Sequence, residues 1–394
     1  MQKSDESIYT LQFGLVCLSS FLFSSSFNML IPELPAYLSG MGGASYKGLI
    51  IALFTLTAGF SRPFSGKLTD TIGRVPVMAV GSVVCFVCGL LYPVLTTVAG
   101  FLFLRLIHGF STGFKPTATS AYVADLVPEH RWGEAMGVHG VCFSTGLAIG
   151  PAIGSTITDH FSINILFYCS SFFALMSIAI LANMKESLQD KHKFSFSLLK
   201  IKRKDIVEWR VIPAALITLL SYVSYGVILT VIGDWSKYLG TNNKGLFFMV
   251  FTLTSLLIRF VAGKASDQYG RTVILKVSLV MLSVSLAWIG LATSSFSLMS
   301  ASALYGVATG MLSPTASAWT IDLSDPQHRG KAVATMYIAL EAGIGFGALL
   351  AGWLFIDDIS TIPTTFFICT GITLLALVYL QLFWKPKMPL LPID

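Results

Sequence analysis

Long apolar runs separated by short polar breaks occupy almost the whole chain. A helix needs ~20 apolar residues to cross the hydrocarbon core of a bilayer, and many of the runs approach that length. Twelve are predicted as transmembrane helices, near residues 10–31, 46–65, 75–97, 99–122, 134–156, 163–183, 211–232, 245–263, 273–293, 296–319, 332–355 and 363–384. The pattern therefore predicts an all-α integral membrane protein with twelve transmembrane helices.

The composition excludes a water-soluble fold. Hydrophobic residues make up 54% of the chain and charged residues 12%, whereas soluble domains carry roughly 25% charged residues. The six cysteines all fall inside apolar runs, so neither a disulfide framework nor a metal site is expected. No cofactor is predicted.

Lysine and arginine are unevenly distributed between the two sides of the predicted membrane. With the N-terminus inside, Arg74 and the basic run 185–210 lie inside, and the cations left outside are Lys47, Lys237 and Lys244. This bias predicts a multi-pass protein of the cell inner membrane with both termini in the cytoplasm. The net charge of +6 then faces anionic lipid rather than a nucleic acid.

The segment 185–210 is the one long polar connection, and it lies at mid-chain between six predicted spans and six. We therefore expect an N-terminal six-helix bundle at residues 1–184, a cytoplasmic linker at 185–210 and a C-terminal six-helix bundle at 211–394. The protein is expected to work as a monomer.

The two halves share sequence at a constant offset. Residues 66–74 (GKLTDTIGR), after span two, match residues 263–271 (GKASDQYGR), after span eight. The same offset of 197 residues relates Arg62 to Arg259, Gly109 to Gly306, Asp125 to Asp322 and Gly146 to Gly343. A repeat of half the chain is typical of transporters whose substrate site lies between the halves, near the membrane midplane.

Both loops carry the pattern Gly-x-x-x-Asp-x-x-Gly-Arg, and on this pattern the chain resembles the major facilitator superfamily over essentially its whole length. The resemblance implies two pseudo-symmetric six-helix bundles around a central cavity that opens to one side of the membrane at a time. The second copy of the pattern contributes Asp267 and Arg271.

Each residue type in this loop suggests a physical role. Gly66 and Gly73 are expected to let the backbone turn at a helix end. Asp70 can lie at a neighbouring helix N-terminus, where the helix dipole favours negative charge, and Arg74 can pair with a carboxylate. We expect the two copies to form a latch on the cytoplasmic side; charges that only set the topology are the alternative.

Residues 146–154 (GLAIGPAIG) in span five resemble a motif of the drug:proton antiporter branches, and residues 32–35 (PELP) resemble the same exporters more weakly. Glycines at every fourth residue let two helices pack closely, and Pro151 removes a helix hydrogen bond and permits bending. Gly150 and Pro151 are therefore predicted to take part in gating. A packing seam found in any transporter is the alternative.

Span four carries Arg105, His108, Thr112 and Lys115 at spacings that predict one helical stripe. Arg105 with Gly109 also resembles the family's Arg-x-x-x-Gly motif. Intramembrane ionisable residues are usually functional, so the two cations and the histidine are expected to face the cavity and to hold an anionic or zwitterionic substrate or a carboxylate. The alternatives are that Lys115 snorkels toward the cytoplasm and that His108 packs in the core.

Glu341 lies about ten residues into span eleven, roughly 15 Å from the cytoplasmic end of the helix. A carboxylate at this depth must be protonated, paired with a cation or hydrated. Glu341 is predicted to carry the coupling proton and to face Arg105 across the halves. A fixed structural ion pair is the alternative.

Five further residues are candidates for the substrate path. Glu33, near the outer end of span one, is expected either to line the external mouth or to be hydrated. Asn28, Tyr225, Trp319 and Tyr337 are candidates for the cavity wall, and each is equally compatible with packing.

No enzyme motif lies in a suitable context. Residues 109–113 (GFSTG) match the hydrolase elbow, but they fall inside a span rather than between a strand and a helix, and no phosphate loop occurs. The sequence therefore predicts a secondary transporter that exports a small organic compound in exchange for protons. A proton symporter that imports a small anionic or zwitterionic metabolite is the alternative, favoured by the span-four cations; a receptor without transport is a third possibility.

Overall fold

The computed structural model describes residues 9–128, 131–189, 191–195, 198, 200, 207–324, 329–355 and 358–383. These residues form helices and connecting turns, without a β-strand among them. The α-helices are α1 (Leu11–Asn28), α2 (Leu34–Gly40), α3 (Lys47–Thr71), α4 (Arg74–Leu91), α5 (Val98–Leu126), α6 (Trp132–His160), α7 (Ile163–Ala182), α8 (Ile212–Tyr238), α9 (Leu246–Tyr269), α10 (Arg271–Leu291), α11 (Ser295–Leu323), α12 (Arg329–Leu354) and α13 (Ile362–Phe383).

All of these helices except the seven-residue α2 are long enough to cross a bilayer. Ten long helical segments are also apolar enough, and α9 is an eleventh candidate whose two parts are inclined at 49°. The remaining long helix is α5, in which Arg105, His108 and Lys115 lower the hydropathy of a 29-residue helix. Within the described residues, the predicted all-α fold with twelve long helices is confirmed.

Several helices run further than their apolar patterns predict, among them the two that carry the repeated Gly-x-x-x-Asp pattern. α3 continues to Thr71 rather than ending near residue 65, and α9 continues to Tyr269 rather than ending near residue 263. Gly66 therefore lies inside α3, and the prediction that it turns the backbone at a helix end is wrong. The turns are made by Gly73, with φ of 127°, and by its repeat Gly270, with φ of 90°. Residues that carry a side chain rarely adopt such φ values.

The second half of the chain repeats the helix packing of the first. α1 packs on α6 and α7, α3 packs on α5, and α4 packs on α5 and α7. In the same way α8 packs on α12 and α13, α9 packs on α11, and α10 packs on α11 and α13. The two halves meet where α3 packs on α12 and where α6 packs on α9. These two contacts are equivalent, because the repeat relates α3 to α9 and α6 to α12.

Close backbone contacts obey the 197-residue repeat as well. A Cβ atom at Gly109 of α5 would collide with the Phe54 carbonyl of α3, and a Cβ at Gly306 of α11 would collide with the Phe251 carbonyl of α9. Both glycines and both carbonyl residues are related by the offset. The internal repeat found in the sequence is thus also a repeat in three dimensions.

The glycines of the α6 motif form a seam against α1. A Cβ at Gly154 would collide with the Met29 backbone, and a Cβ at Gly150 would be tightly placed against the same helix. Pro151 lies on another side of α6, where its carbonyl group touches Gly245, just before α9. The motif therefore packs α6 on α1 within one half and also contacts the other half.

Gly154→Leu is expected to destabilise the protein, because the Cβ atom of the introduced leucine would collide with the Met29 backbone. Overpacking of this kind costs about 1–3 kcal/mol, so thermal unfolding in detergent should start at a lower temperature. Gly137→Leu is the matched control, since Gly137 lies on the same helix with nothing within 4 Å of its Cβ position. Equal unfolding temperatures for the two variants would contradict the close α1–α6 seam.

Candidate functional site

A cavity of about 1280 Å³ lies between the two halves. Its walls come from α1, α3, α5 and α6 on one side and from α8, α9, α11 and α12 on the other. It opens toward the end of the molecule that carries residues 66–74, 184–189 and 263–271, which we call the linker face. The opposite end, with residues 40–47 and 234–246, is the far face.

The cavity wall is rich in cations. Its charged residues are Arg62, Lys67, Asp70, Arg105, Lys200, Arg259, Lys331 and Glu341. Six cations thus accompany two carboxylates, so the field inside the cavity attracts anions. Aromatic side chains, among them Phe27, Phe54, Tyr225 and Tyr337, supply much of the remaining wall.

The backbones of the two halves touch at the far face. A Cβ at Gly48 of α3 would collide with the Ala348 carbonyl of α12 and would lie 3.1 Å from the Cα of Gly352. At the symmetry-related place, a Cβ at Gly245 would collide with Pro151 of α6. These contacts close the cavity at the far face.

Two ion pairs join the halves at the same face. Lys47 Nζ lies 3.0 Å from Asp234 Oδ2, and Lys244 Nζ lies 2.8 Å from Glu33 Oε2. The two lysines are related by the 197-residue offset. Glu33 is 4% exposed and also accepts a hydrogen bond of 2.8 Å from Ser155 Oγ. The burial of Glu33 contradicts its interpretation as a hydrated residue. Its predicted place at the external mouth stays a prediction, because the far face is closed in this conformation.

Glu341 of α12 lies in the cavity wall, where its Oε1 accepts a hydrogen bond of 2.7 Å from Arg62 Nη2 of α3. This ion pair joins the two halves. The Arg62 guanidinium also lies 4.8 Å from the centre of the Tyr337 ring. Arg105 was the expected partner of Glu341, and this expectation is wrong. Because α3 continues to Thr71, Arg62 lies roughly 14 Å from the end of the helix.

Arg105 lies in the cavity wall but is held by its own half. Its Nε donates a hydrogen bond of 2.9 Å to the Ile50 carbonyl, and its Nη1 donates one of 3.4 Å to the Tyr92 hydroxyl. The guanidinium also lies 4.5 Å from the centre of the Phe54 ring. Arg105 therefore contributes positive potential to the cavity from a fixed position, and its part in binding stays a prediction.

His108 and Lys115 point away from the cavity, contrary to the sequence prediction. Arg105 and Thr112 line the wall. His108 and Lys115 each follow one of them by three residues, and on a helix this step turns the side chain by about 60°. His108 is fully buried between the Tyr92 hydroxyl, 3.0 Å from Nδ1, and Cys85 Sγ, 3.3 Å from Nε2. The packing interpretation of His108 therefore fits the structure.

Lys115 is buried inside the first half, at 1% exposure. Its ammonium group donates hydrogen bonds to Ser19 Oγ at 2.8 Å, to Ser82 Oγ at 2.9 Å and to Ser177 Oγ. It also lies 4.8 Å from the centre of the Phe23 ring. Hydroxyl oxygens thus replace water around all three donors of the ammonium group. Lys115 neither faces the cavity nor snorkels to the cytoplasm, so both interpretations are wrong.

The four uncharged candidates divide between the wall and the core. Asn28, Tyr225 and Tyr337 line the cavity. Trp319 does not, since it is 3% exposed within the apolar core. The prediction that Trp319 belongs to the cavity wall is therefore wrong.

Arginine–carboxylate networks lie at the linker face. Arg74 Nη1 binds Asp70 Oδ1 at 3.0 Å, and its Nε binds Asp125 Oδ2 at 3.0 Å. The repeated network consists of Arg271, Asp267 and Asp322. Each network lies within one half, so in this conformation neither latches the two halves together.

The carboxylate at the α4 N-terminus is Glu186 of the linker. Its Oε1 and Oε2 accept hydrogen bonds of 3.0 Å from the backbone amides of Arg74 and Val75. This is the helix-end position that the sequence suggested for Asp70. Asp70 instead ion-pairs with the Arg74 side chain and lies at the cavity entrance, so that expectation is corrected.

Sequence reasoning missed several residues of the wall. None of Arg62, Arg259, Lys331 and His139 of α6 was assigned to the cavity from the sequence, yet all four line it. Two signals could have identified Arg62 and Arg259. They are related by the 197-residue offset, and both lie in helices that extend beyond their apolar runs.

The fold and the cavity define a membrane carrier with two pseudo-symmetric halves. The chain belongs to the Major Facilitator Superfamily, whose family model matches residues 16–213 and 214–392. It is a transporter of this superfamily and not an enzyme.

Named relatives support the exporter-like resemblance. Multidrug resistance protein 2 of Bacillus subtilis is 24% identical over an alignment of 401 positions, which covers 98% of this chain and 98% of the relative. The multi-drug resistance efflux pump PmrA of Streptococcus pneumoniae is 28% identical over an alignment of 316 positions, which covers 75% of this chain and 77% of the relative. The predicted resemblance to a drug-exporter branch is confirmed.

Solved structures share the fold. A D-xylose-proton symporter has a TM-score of 0.78 at 16% identity, covering 95% of this chain and 96% of its own. The human organic anion transporter MFSD10 has a TM-score of 0.72 at 20% identity, covering 94% and 98%. At these identities the two structures establish the architecture alone.

Proposed function

We propose that the protein exports a small organic compound in exchange for protons, by alternating access. The observation that carries this proposal is the Arg62–Glu341 ion pair, which bridges the two halves in the wall of the cavity. A proton that binds Glu341 removes its charge and weakens the pair with Arg62. Proton binding is thereby linked to the contact between the halves.

The linker face is the cytoplasmic side in this proposal, and the membrane is the cell inner membrane. The lysine and arginine bias of the loops supports this orientation. The cavity is then open to the cytoplasm and closed to the outside. Residues 1–184 and 211–394 move as two bundles about the linker 185–210, within a monomer.

The transport cycle follows from this geometry. Substrate enters the cavity from the cytoplasm, the contacts at the far face separate, and the substrate leaves as a proton arrives at Glu341. The Asp70–Arg74 and Asp267–Arg271 groups close the cytoplasmic face in the opposite state. The names of the relatives, a multidrug resistance protein and an efflux pump, support export over import.

Proton-coupled import of an anionic or zwitterionic metabolite is the second candidate. The excess of cations in the cavity wall favours it, because an imported carboxylate would find ready partners there. The relatives' names and the α6 glycine–proline motif favour export.

Everted membrane vesicles test the direction of transport. Respiration acidifies their lumen, so a proton-coupled exporter should discharge the pH gradient when ethidium, benzenesulfonate or benzamide is added, whereas empty vesicles should not respond. The expected result is discharge by at least one probe. Energised accumulation of a probe in whole cells, with no discharge in vesicles, would overturn export and support the symporter.

A further inference from the structure

A second, smaller pocket of about 150 Å³ opens beside the central cavity. It shares Leu147, Tyr225, Arg259 and Ser313 with the cavity wall. Rings and aliphatic side chains form most of its surface: Tyr222, Tyr225, Phe251, Leu282, Tyr305 and Leu312. An apolar cavity of this volume is large enough to hold a benzene ring.

Two hydroxyl groups in this pocket use their protons on backbone carbonyls. Ser221 Oγ donates to the Ile217 carbonyl at 2.7 Å, and Thr309 Oγ1 donates to the Tyr305 carbonyl at 2.9 Å. Neither hydroxyl is therefore a free donor facing the interior of the pocket. An apolar ring meets little desolvation cost there.

Arg259 lies at the junction of the pocket and the cavity, and it is the repeat of Arg62. Arg62 is paired with Glu341 at 2.7 Å. The residue that corresponds to Glu341 in the first half is Ser144, which also lines the cavity. Among the described residues, no carboxylate forms an ion pair with Arg259. The repeat has thus kept the cation and lost the carboxylate.

We propose that Arg259 and the small pocket bind a monocyclic aromatic carboxylate, with the ring in the pocket and the carboxylate on the guanidinium. The carboxylate of the ligand pairs with Arg259 as the carboxylate of Glu341 pairs with Arg62. A guanidinium fork binds a carboxylate through two parallel hydrogen bonds. The other cations of the wall reinforce the attraction and repel cationic ligands.

This inference rests on the proposed export function and names its substrate class. Export of an anion in exchange for a proton moves positive charge inward. An interior-negative membrane potential therefore drives such a cycle in the export direction.

Isothermal titration of the full chain in lipid nanodiscs tests the ligand class. Benzoate should bind more tightly than acetate, which lacks the ring, than benzyl alcohol, which lacks the charge, and than benzylamine, which reverses the charge. Arg259→Gln should weaken benzoate binding about 10- to 100-fold, the loss expected for a charge-assisted hydrogen bond. Arg259→Glu should reverse the preference toward benzylamine, an outcome that a misfolded variant cannot produce.

A second variant tests the pocket itself. Thr309→Phe places a ring in the space assigned to the ligand and should weaken benzoate binding about tenfold or more. Thr370→Phe in α13 makes the same chemical change outside both cavities and should leave the affinity unchanged. Equal benzoate affinities in the wild-type chain, Arg259→Gln and Thr309→Phe would overturn the proposal, as would the absence of benzoate binding.

The two proposals fail separately. Binding in nanodiscs needs no proton gradient, so benzoate binding that depends on Arg259 supports the ligand site even if no probe discharges the vesicles. Conversely, discharge by ethidium together with no benzoate binding would overturn the aromatic-carboxylate site and leave proton-coupled export standing.

Discussion

Glu341→Gln is expected to lower proton-coupled transport by about 100-fold or more, the usual scale for losing a proton-transferring group. Glutamine keeps the size of the side chain and its contact with Arg62, but it cannot bind and release a proton. Exchange of substrate for substrate across the membrane needs no net proton movement. That exchange should therefore continue in the variant.

Proteoliposomes loaded with a pH-sensitive dye separate the two activities. Proton movement driven by benzenesulfonate or ethidium should disappear in Glu341→Gln, while exchange of labelled for unlabelled probe persists. Glu134→Gln is the matched control, because Glu134 pairs with Arg131 at the linker face and its side chain is 44% exposed. Full proton coupling in Glu341→Gln would remove Glu341 from the mechanism, and loss of exchange as well would assign it a structural role.

Gly48→Leu is expected to slow transport by disfavouring closure of the far face. The introduced leucine side chain would collide with the Ala348 carbonyl and crowd the Cα of Gly352, which lies 3.1 Å from the Cβ position. A cost of about 1–3 kcal/mol for this overlap shifts the equilibrium between the two states by roughly 5- to 150-fold. The variant should therefore favour the state that is open at the far face.

Hydrogen exchange measured by mass spectrometry detects this shift. Segments 40–48 and 234–246 should exchange faster in Gly48→Leu, because the Lys47–Asp234 and Lys244–Glu33 pairs would be broken along with the backbone contact. Segments at the linker face should exchange more slowly. Gly14→Leu is the control, since Gly14 has nothing within 4 Å of its Cβ position. Unchanged exchange at the far face in Gly48→Leu would refute the assigned closure.

The far-face ion pairs explain how a carrier can close one end and still reopen it. Lys47 and Glu33 are almost fully buried, while the side chains of Asp234 and Lys244 remain partly exposed. Partly exposed pairs are weaker than their geometry suggests, because water replaces the partner when the halves separate. Glu33 and Asp234 are therefore suited to a contact that forms and breaks in each cycle.

The apolar pattern determined the helical class and the number of long helices, and the residues matched at a constant offset determined the twofold repeat. These properties are local: transfer from water to lipid depends on the composition of each run, and a repeat is visible residue by residue. The position of Glu341 near the middle of its helix also followed from counting along the chain, since α12 spans Arg329–Leu354. The latch glycines show the limit of this reasoning, because Gly66 turned out to lie inside α3 once the helix ran on to Thr71.

Only the tertiary structure decided which side chains meet. In a membrane, lipid and the packed interior are both apolar, so hydrophobicity does not mark the inward face of a helix. The sequence therefore placed His108 and Lys115 in the cavity, whereas rotation of α5 directs them into the first half. The pairing of Arg62 with Glu341 likewise depends on how α3 and α12 pack against each other across the two halves. No sequence pattern within either helix predicts how close the two side chains come.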